Sequence, residues 1–146
     1  MTDAAARALG VDLGDARIGL AASDPAGSIA MPLETLERVG PRQDVERVAR
    51  RAREIEAGVV VVGLPRLMSG EEGHQARLAR EFAERLGRQL PGVPVELWDE
   101  RLTTAEAERT MISGGVDRRR RRKHVDPVAA ALILQGWLDA RRGRGS

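Results

Sequence analysis

Apolar positions along the chain follow two rhythms. Short, nearly continuous apolar runs at "ALGVD" (8–12), "RIGLAAS" (17–23), "IAMPLETLE" (29–37), "VVVVGLP" (59–65) and "VELWDE" (95–100) predict strands. The run at 59–65 is β-branched and unbroken, as expected of a parallel strand covered on both faces. Between the strands the period lengthens. "QDVERVARRAREIEA" (43–57) sets Val45, Val48, Ala52 and Ile55 at helical spacing, with Gly58 expected to end the helix. "HQARLAREFAERLGRQL" (74–90) predicts a second helix, closed by "PGVP". Thr103 and Glu106 form a capping box for a third, which stops near Gly114 and Gly115. Residues 126–142 read as a last helix, with Ala129, Leu132, Ile133 and Trp137 turned inward.

The order βββ-α-β-α-β-α-α predicts an α/β fold. Its mixed five-stranded sheet combines a three-strand antiparallel meander with two parallel strands, flanked by helices and joined by right-handed crossovers. Gly14 and Asp15 mark the first hairpin turn, and Pro32 suits the third strand to an edge. A chain of 146 residues is expected to form one domain, with its core at about 8–139, a basic loop at 117–124 and a flexible tail at 140–146. In such sheets sites form beyond the carboxyl ends of the parallel strands. Asp12 ends the first strand, Glu100 ends the last, and Asp126 opens the final helix. Three carboxylates far apart in sequence are therefore expected to converge at one sheet edge.

Composition narrows what such a convergence could do. Cysteine is absent and only His74 and His124 are present, which excludes a thiolate zinc site and a histidine cluster. An all-carboxylate set suits Mg²⁺ or Mn²⁺. Two such ions about 3.5–4 Å apart clamp the attacking and leaving oxygens of a phosphoryl displacement. Gly14, two residues beyond Asp12, lets backbone or phosphate come close. Basic charge is concentrated at one end. Residues 117–146 hold nine Arg and Lys against three Asp, a net of +6, whereas residues 1–116 carry 15 Arg and 19 acids, a net of −4. The run Arg118, Arg119, Arg120, Arg121, Arg122 and Lys123 sits just ahead of Asp126, placed to grip a nucleic-acid backbone. These parts describe a metal-dependent nuclease. Aromatic content of 2% argues against a base-stacking platform. With no run of membrane-spanning length and no signal-peptide apolar segment, a cytoplasmic location is expected.

Each acid also has a plainer role open to it. Asp126-Pro127 is a helix-start signal, Glu100 could be a rim carboxylate paired with Arg101, and the arginine run could simply be solvated. Asp12 is hardest to explain away, because an acid in a central strand must be paired or liganded.

Four stretches together resemble the YqgF/RuvX family of RNase H-like proteins: "GVDLGDARIGLA" (10–21), "VVVVGLP" with Gly70 behind it, "DERLTTAEA" (99–107) and "KHVDPVAAALIL" (123–134). The likeness spans nearly all of residues 8–139. It implies an RNase H-like fold and a divalent-metal nuclease site, with Asp12, Glu100 and Asp126 matching the family's acids. By analogy with two-metal nucleases Asp12 would bridge both ions, Glu100 and Asp126 each holding one. No fourth acid stands out: Asp99 is expected to point away from Glu100, and Asp15 is a turn residue. The loop after "VGLP" departs from the family's "LNMDG"; here it is "RLMSG", so Arg66 and Ser69 replace an apolar residue and an acid. Two substrates are implied, the 5′ end of precursor 16S ribosomal RNA and the four-way Holliday junction. Resolving a junction by paired cuts would require a two-fold homodimer.

Two other readings compete. "GVDLG" also resembles the phosphate loop of sugar kinases and Hsp70-type ATPases, but those need a second such domain and loop. A non-catalytic RNA-binding ribosome-assembly factor, held to phosphates by residues 118–123, would not need the carboxylates at all.

Overall fold

The computed structural model describes residues 7–67, 69–102 and 126–145, for backbone only at 126 and 142–145. The expected third helix (103–114) and the basic run Arg118–Lys123 lie outside the described residues. Five strands, β1 (Arg7–Leu13), β2 (Arg17–Ser23), β3 (Ala30–Glu37), β4 (Ala57–Leu64) and β5 (Val95–Asp99), form one sheet in the order β3-β2-β1-β4-β5. β1–β2 and β2–β3 pair antiparallel, whereas β1–β4 and β4–β5 pair parallel. The meander, the parallel pair and the edge position of Pro32 are as the sequence predicts. Helices α1 (Pro41–Glu54) and α2 (His74–Gln89) cover one face, and α3 (Asp126–Gly145) covers the other.

Strand alternation sorts side chains between two cores. Leu9, Val11, Ile18, Leu20, Val60, Val62 and Leu64 pack with α1 and α2. Ala8, Ala21, Val59 and Val61 pack with Ala130, Ile133, Leu134 and Trp137 of α3. β4 is apolar throughout because both of its faces are covered. The α3 face is floored by small residues, which brings the helix close: a methyl group at Gly10 would lie 2.8 Å from Leu134 Cβ and 2.9 Å from the Ala130 carbonyl oxygen.

Three boundaries differ from expectation. α1 begins at Pro41, whose fixed φ suits the first helical turn. It ends at Glu54, and the left-handed residue beyond it is Glu56 (φ 57°), because Ala57 already pairs with Arg7 and Gly58 lies within β4. In α3 the buried positions include Ala130, Ile133, Leu134, Trp137 and Leu138, while Ala129 and Leu132 are half-buried. Tight approach at Gly10 selects Ala130 for the contact. α3 also continues to Gly145, past the point at which a tail is expected.

Polar contacts fix the direction of α3. Gln135 accepts from the Ala30 N–H (2.9 Å) and donates to the Ser28 carbonyl (3.0 Å), and Trp137 Nε1 donates to Glu96 (3.0 Å). Ala30 lies opposite Ser23, beside the amino end of β1, and Glu96 is near the amino end of β5. The amino terminus of α3 therefore points to the carboxyl ends of the parallel strands. Among the described residues no helix is long and apolar enough to cross a membrane.

Candidate active site

Asp12 is the sixth residue of β1 and shares the α3 face with Ala8 and Gly10. Its partner in β2 is Gly19. On the other side Val11 pairs with Val62, so Asp12 comes level with Gly63 of β4. Glycine on both neighbouring strands means that neither of them sets a side chain beside this half-buried carboxylate.

Glu100 occupies part of that space. Its N–H donates to the Leu64 carbonyl (3.1 Å), which carries β5 pairing one residue past the strand. Its side chain then folds over Gly63: a methyl group there would lie 2.8 Å from Glu100 Oε2, 3.2 Å from its Cγ and 2.6 Å from Ile133 Cδ1. Gly63 is one strand from Asp12, about 4.8 Å between backbones. Asp12 and Glu100 are thus brought to one edge and one face, as the sequence predicts. Burial pushes the Glu100 carboxyl above its ordinary value, and the nearby Asp99 charge adds to the shift.

Asp126 begins α3 at this same edge, but its side chain lies outside the described residues. Among the described residues no three acidic, His or Cys side chains group to hold a metal ion. The full triad therefore stays an expectation. Gly14 has an intramolecular reason for being glycine. Its N–H donates to the Arg17 carbonyl (2.9 Å), and a methyl group would lie 2.8 Å from that oxygen.

Arg101 turns to Asp99, with its Nη2 2.8 Å from Oδ2 and its backbone N–H 2.9 Å from Oδ1. Alternation explains this pairing: Asp99 and Arg101 point away from the α3 face that Glu100 shares. Arg101 hydrogen bonds hold Asp99 below the usual carboxylate range, against the upward push of burial.

Sequence reasoning missed several residues that build this edge. Asp44 is fully buried and accepts from Arg38 Nε (3.0 Å) and the Val39 N–H (3.0 Å). Arg38 in turn donates to the Gly14 carbonyl (2.9 Å), tying the turn beyond Asp12 to the start of α1. Gln75 of α2 reaches the same turn through Asp15 (2.9 Å). The glycine that closes the valine run, Gly63, was the available sequence signal for this edge.

A profile described as RuvX, Holliday junction resolvase, matches residues 6–140. The chain belongs to the RuvX family. RuvX relatives with the provisional name pre-16S rRNA nuclease include a 50% identical protein of Nocardia farcinica, aligned over 92% of this chain and 78% of its own. That of Anaeromyxobacter dehalogenans is 53% identical over 92% of this chain and 98% of its own. Among solved structures, RuvC of T. thermophilus in complex with a Holliday junction substrate superposes with a TM-score of 0.63 at 19% identity, over 94% of this chain and 96% of that one. A fowlpox virus Holliday junction resolvase gives 0.55 at 13% identity, over 92% and 99%. The fold of this RuvX chain is RNase H-like.

Proposed function

We propose that the chain is a divalent-metal-dependent nuclease that hydrolyses phosphodiester bonds of structured nucleic acid, with the 5′ end of precursor 16S rRNA as its substrate. The carrying observation is the carboxylate edge itself: Asp12 between Gly19 and Gly63, with Glu100 folded over Gly63. A partly buried carboxyl whose proton affinity is raised by burial also suits a cation, and the all-oxygen donors match Mg²⁺ or Mn²⁺. Asp12, Glu100 and Asp126 would hold the metal, two ions in the full arrangement. Once bound, the metal supplies Lewis-acid stabilisation of phosphoryl oxygens and a nucleophilic water at neutral pH.

The chain's own residues do the rest. The wall of α3 above Gly10 and Gly63 limits water at one side of the acids, and the braced Gly14 turn fixes the end of β1. The run Arg118–Lys123 would hold the backbone of the substrate. RNA is preferred as substrate because relatives near 50% identity carry that name, whereas the junction-bound neighbour is below 20%. The family description favours a second reading, Holliday junction resolution by a homodimer. A cytoplasmic location fits either substrate.

The test offers labelled 5′-extended 16S precursor RNA and a labelled four-way junction to the protein in parallel, with Mg²⁺ or Mn²⁺. Faster metal-dependent trimming of the RNA is the expected result. Faster symmetrical cutting of the junction would transfer the assignment to the resolvase, and binding without cleavage of either would defeat the nuclease.

A further inference from the structure

A second charged cluster lies on the far side of the same edge. Arg66 and Arg101 meet on one oxygen: Arg66 Nε is 3.7 Å and Arg101 Nη2 2.8 Å from Asp99 Oδ2. Arg66 also lies 3.6 Å from Glu72, whose two oxygens are already taken by Arg80 at 2.6 and 2.5 Å. Both guanidinium groups converge on Gly70. Arg66 Nη1 donates to its carbonyl at 3.4 Å, and a methyl group at Gly70 would lie 3.2 Å from Arg101 Nη1. With φ at +93°, Gly70 turns the loop in a conformation that side chains disfavour.

Among the described residues, charge in this cluster does not balance. Arg66, Arg80 and Arg101 there face Asp99 and Glu72, and the buried Arg66 Nε has no hydrogen-bond partner among them. Arg66 keeps two long ion pairs where Arg80 keeps a bidentate one. Its guanidinium is positioned but incompletely satisfied, and Arg101 is about half exposed beside it. Two planar forks held together suit one phosphate group better than any single cation does.

We propose that Arg66 and Arg101 form a phosphate clamp for the substrate strand, taking a phosphate that flanks the reacting one as the strand crosses the sheet edge. Glu100 and Arg101 are consecutive, so one backbone segment presents the acid to the reacting phosphate and the fork to its neighbour. Asp99 and Glu72 are the anions that the two forks hold in the absence of substrate, and a phosphate would compete with them. The clamp rests on the nucleic-acid substrate proposed above, but its role is binding and register rather than chemistry.

The test measures binding in an Asp12→Asn background, where no cleavage is expected. Labelled precursor RNA and four-way junction are titrated across a range of salt. Arg66→Ala and Arg101→Ala are each expected to weaken the tighter complex about tenfold or more at low salt. Each should also flatten the dependence of log affinity on log salt by about one. Asp99→Asn removes a competing anion and leaves both cations, so affinity should hold or rise. A merely structural role predicts that Asp99→Asn weakens binding as much as the arginine variants do, and that result would overturn the clamp. So would unchanged affinity and slope in both arginine variants. If those variants bind as the parent does while the Asp12 protein still cleaves, the clamp fails and the nuclease stands. If the slopes flatten but the Asp12 protein cleaves nothing, the clamp stands and the nuclease fails.

Discussion

Asp44, in the first turn of α1, and Glu100, beneath α3, are carboxylates withdrawn from water on opposite faces of one sheet, and their surroundings push them in opposite directions. Burial raises both. At Asp44 the Val39 and Gly40 N–H groups and the Arg38 guanidinium outweigh it, and the carboxyl sits below its ordinary value of 3.8. At Glu100 burial prevails, helped by Asp99, and the carboxyl sits above its ordinary value of 4.5. One acid is satisfied by the chain and serves as a brace. The other keeps a raised proton affinity, and groups perturbed in this way cluster at functional sites. The packing differs in the same sense. Large side chains fill the α1/α2 face, whereas the α3 face gives up volume at Gly10, Gly19 and Gly63 to bring a helix and two acids together.

This contrast can be broken from either side. Leu20→Ala, in the large-residue core, should give the greatest loss of stability, about 2–5 kcal/mol by denaturant unfolding, with cleavage per folded molecule kept. Asp44→Asn should lose about 3 kcal/mol at neutral pH, because buried donors and Arg38 lose their charged acceptor. Its sign follows from the lowered carboxyl. Asp44 stabilises the fold above its unfolded value and ceases to as pH falls through its folded value. The gap between wild type and variant should therefore close in acid, and a constant gap would count against the brace.

Gly10→Ala should cost about 1–3 kcal/mol, since the obstruction is the Ala130 carbonyl and helix backbone must move. Unlike Leu20→Ala it should also lower cleavage per folded molecule. Glu100→Gln has the smallest expected effect on stability and the opposite sign. A raised carboxyl makes the fold lose stability as pH rises from the unfolded value through the folded one. In chelator at neutral pH the variant should melt above wild type, with the two converging below about pH 4. A lower melting temperature at neutral pH would contradict this assignment of Glu100.

What the sequence made legible was whatever depends on local rhythm. The double-faced β4 run, the edge Pro32 and the strand-ending positions of Asp12 and Glu100 all follow from alternation and from strand order. What it concealed depends on elements meeting in space. Nothing near Asp44 announces its burial, because its partner Arg38 arrives from the end of β3 and reaches on to Gly14. Glu56 rather than Gly58 takes the left-handed conformation because β4 must begin early enough to pair with Arg7. Arg66 could be seen as a departure from its family's loop, but its convergence with Arg101 on Asp99 could not.

The most direct measurement compares wild type with Asp12→Asn in single-turnover cleavage of the preferred substrate with Mg²⁺ or Mn²⁺, with binding followed in the same samples. Lewis-acid stabilisation worth several kcal/mol sets the expected loss at about 100-fold or more in rate, with affinity unchanged. Equal rates in the two proteins would contradict the assignment of the carboxylate edge as the active site.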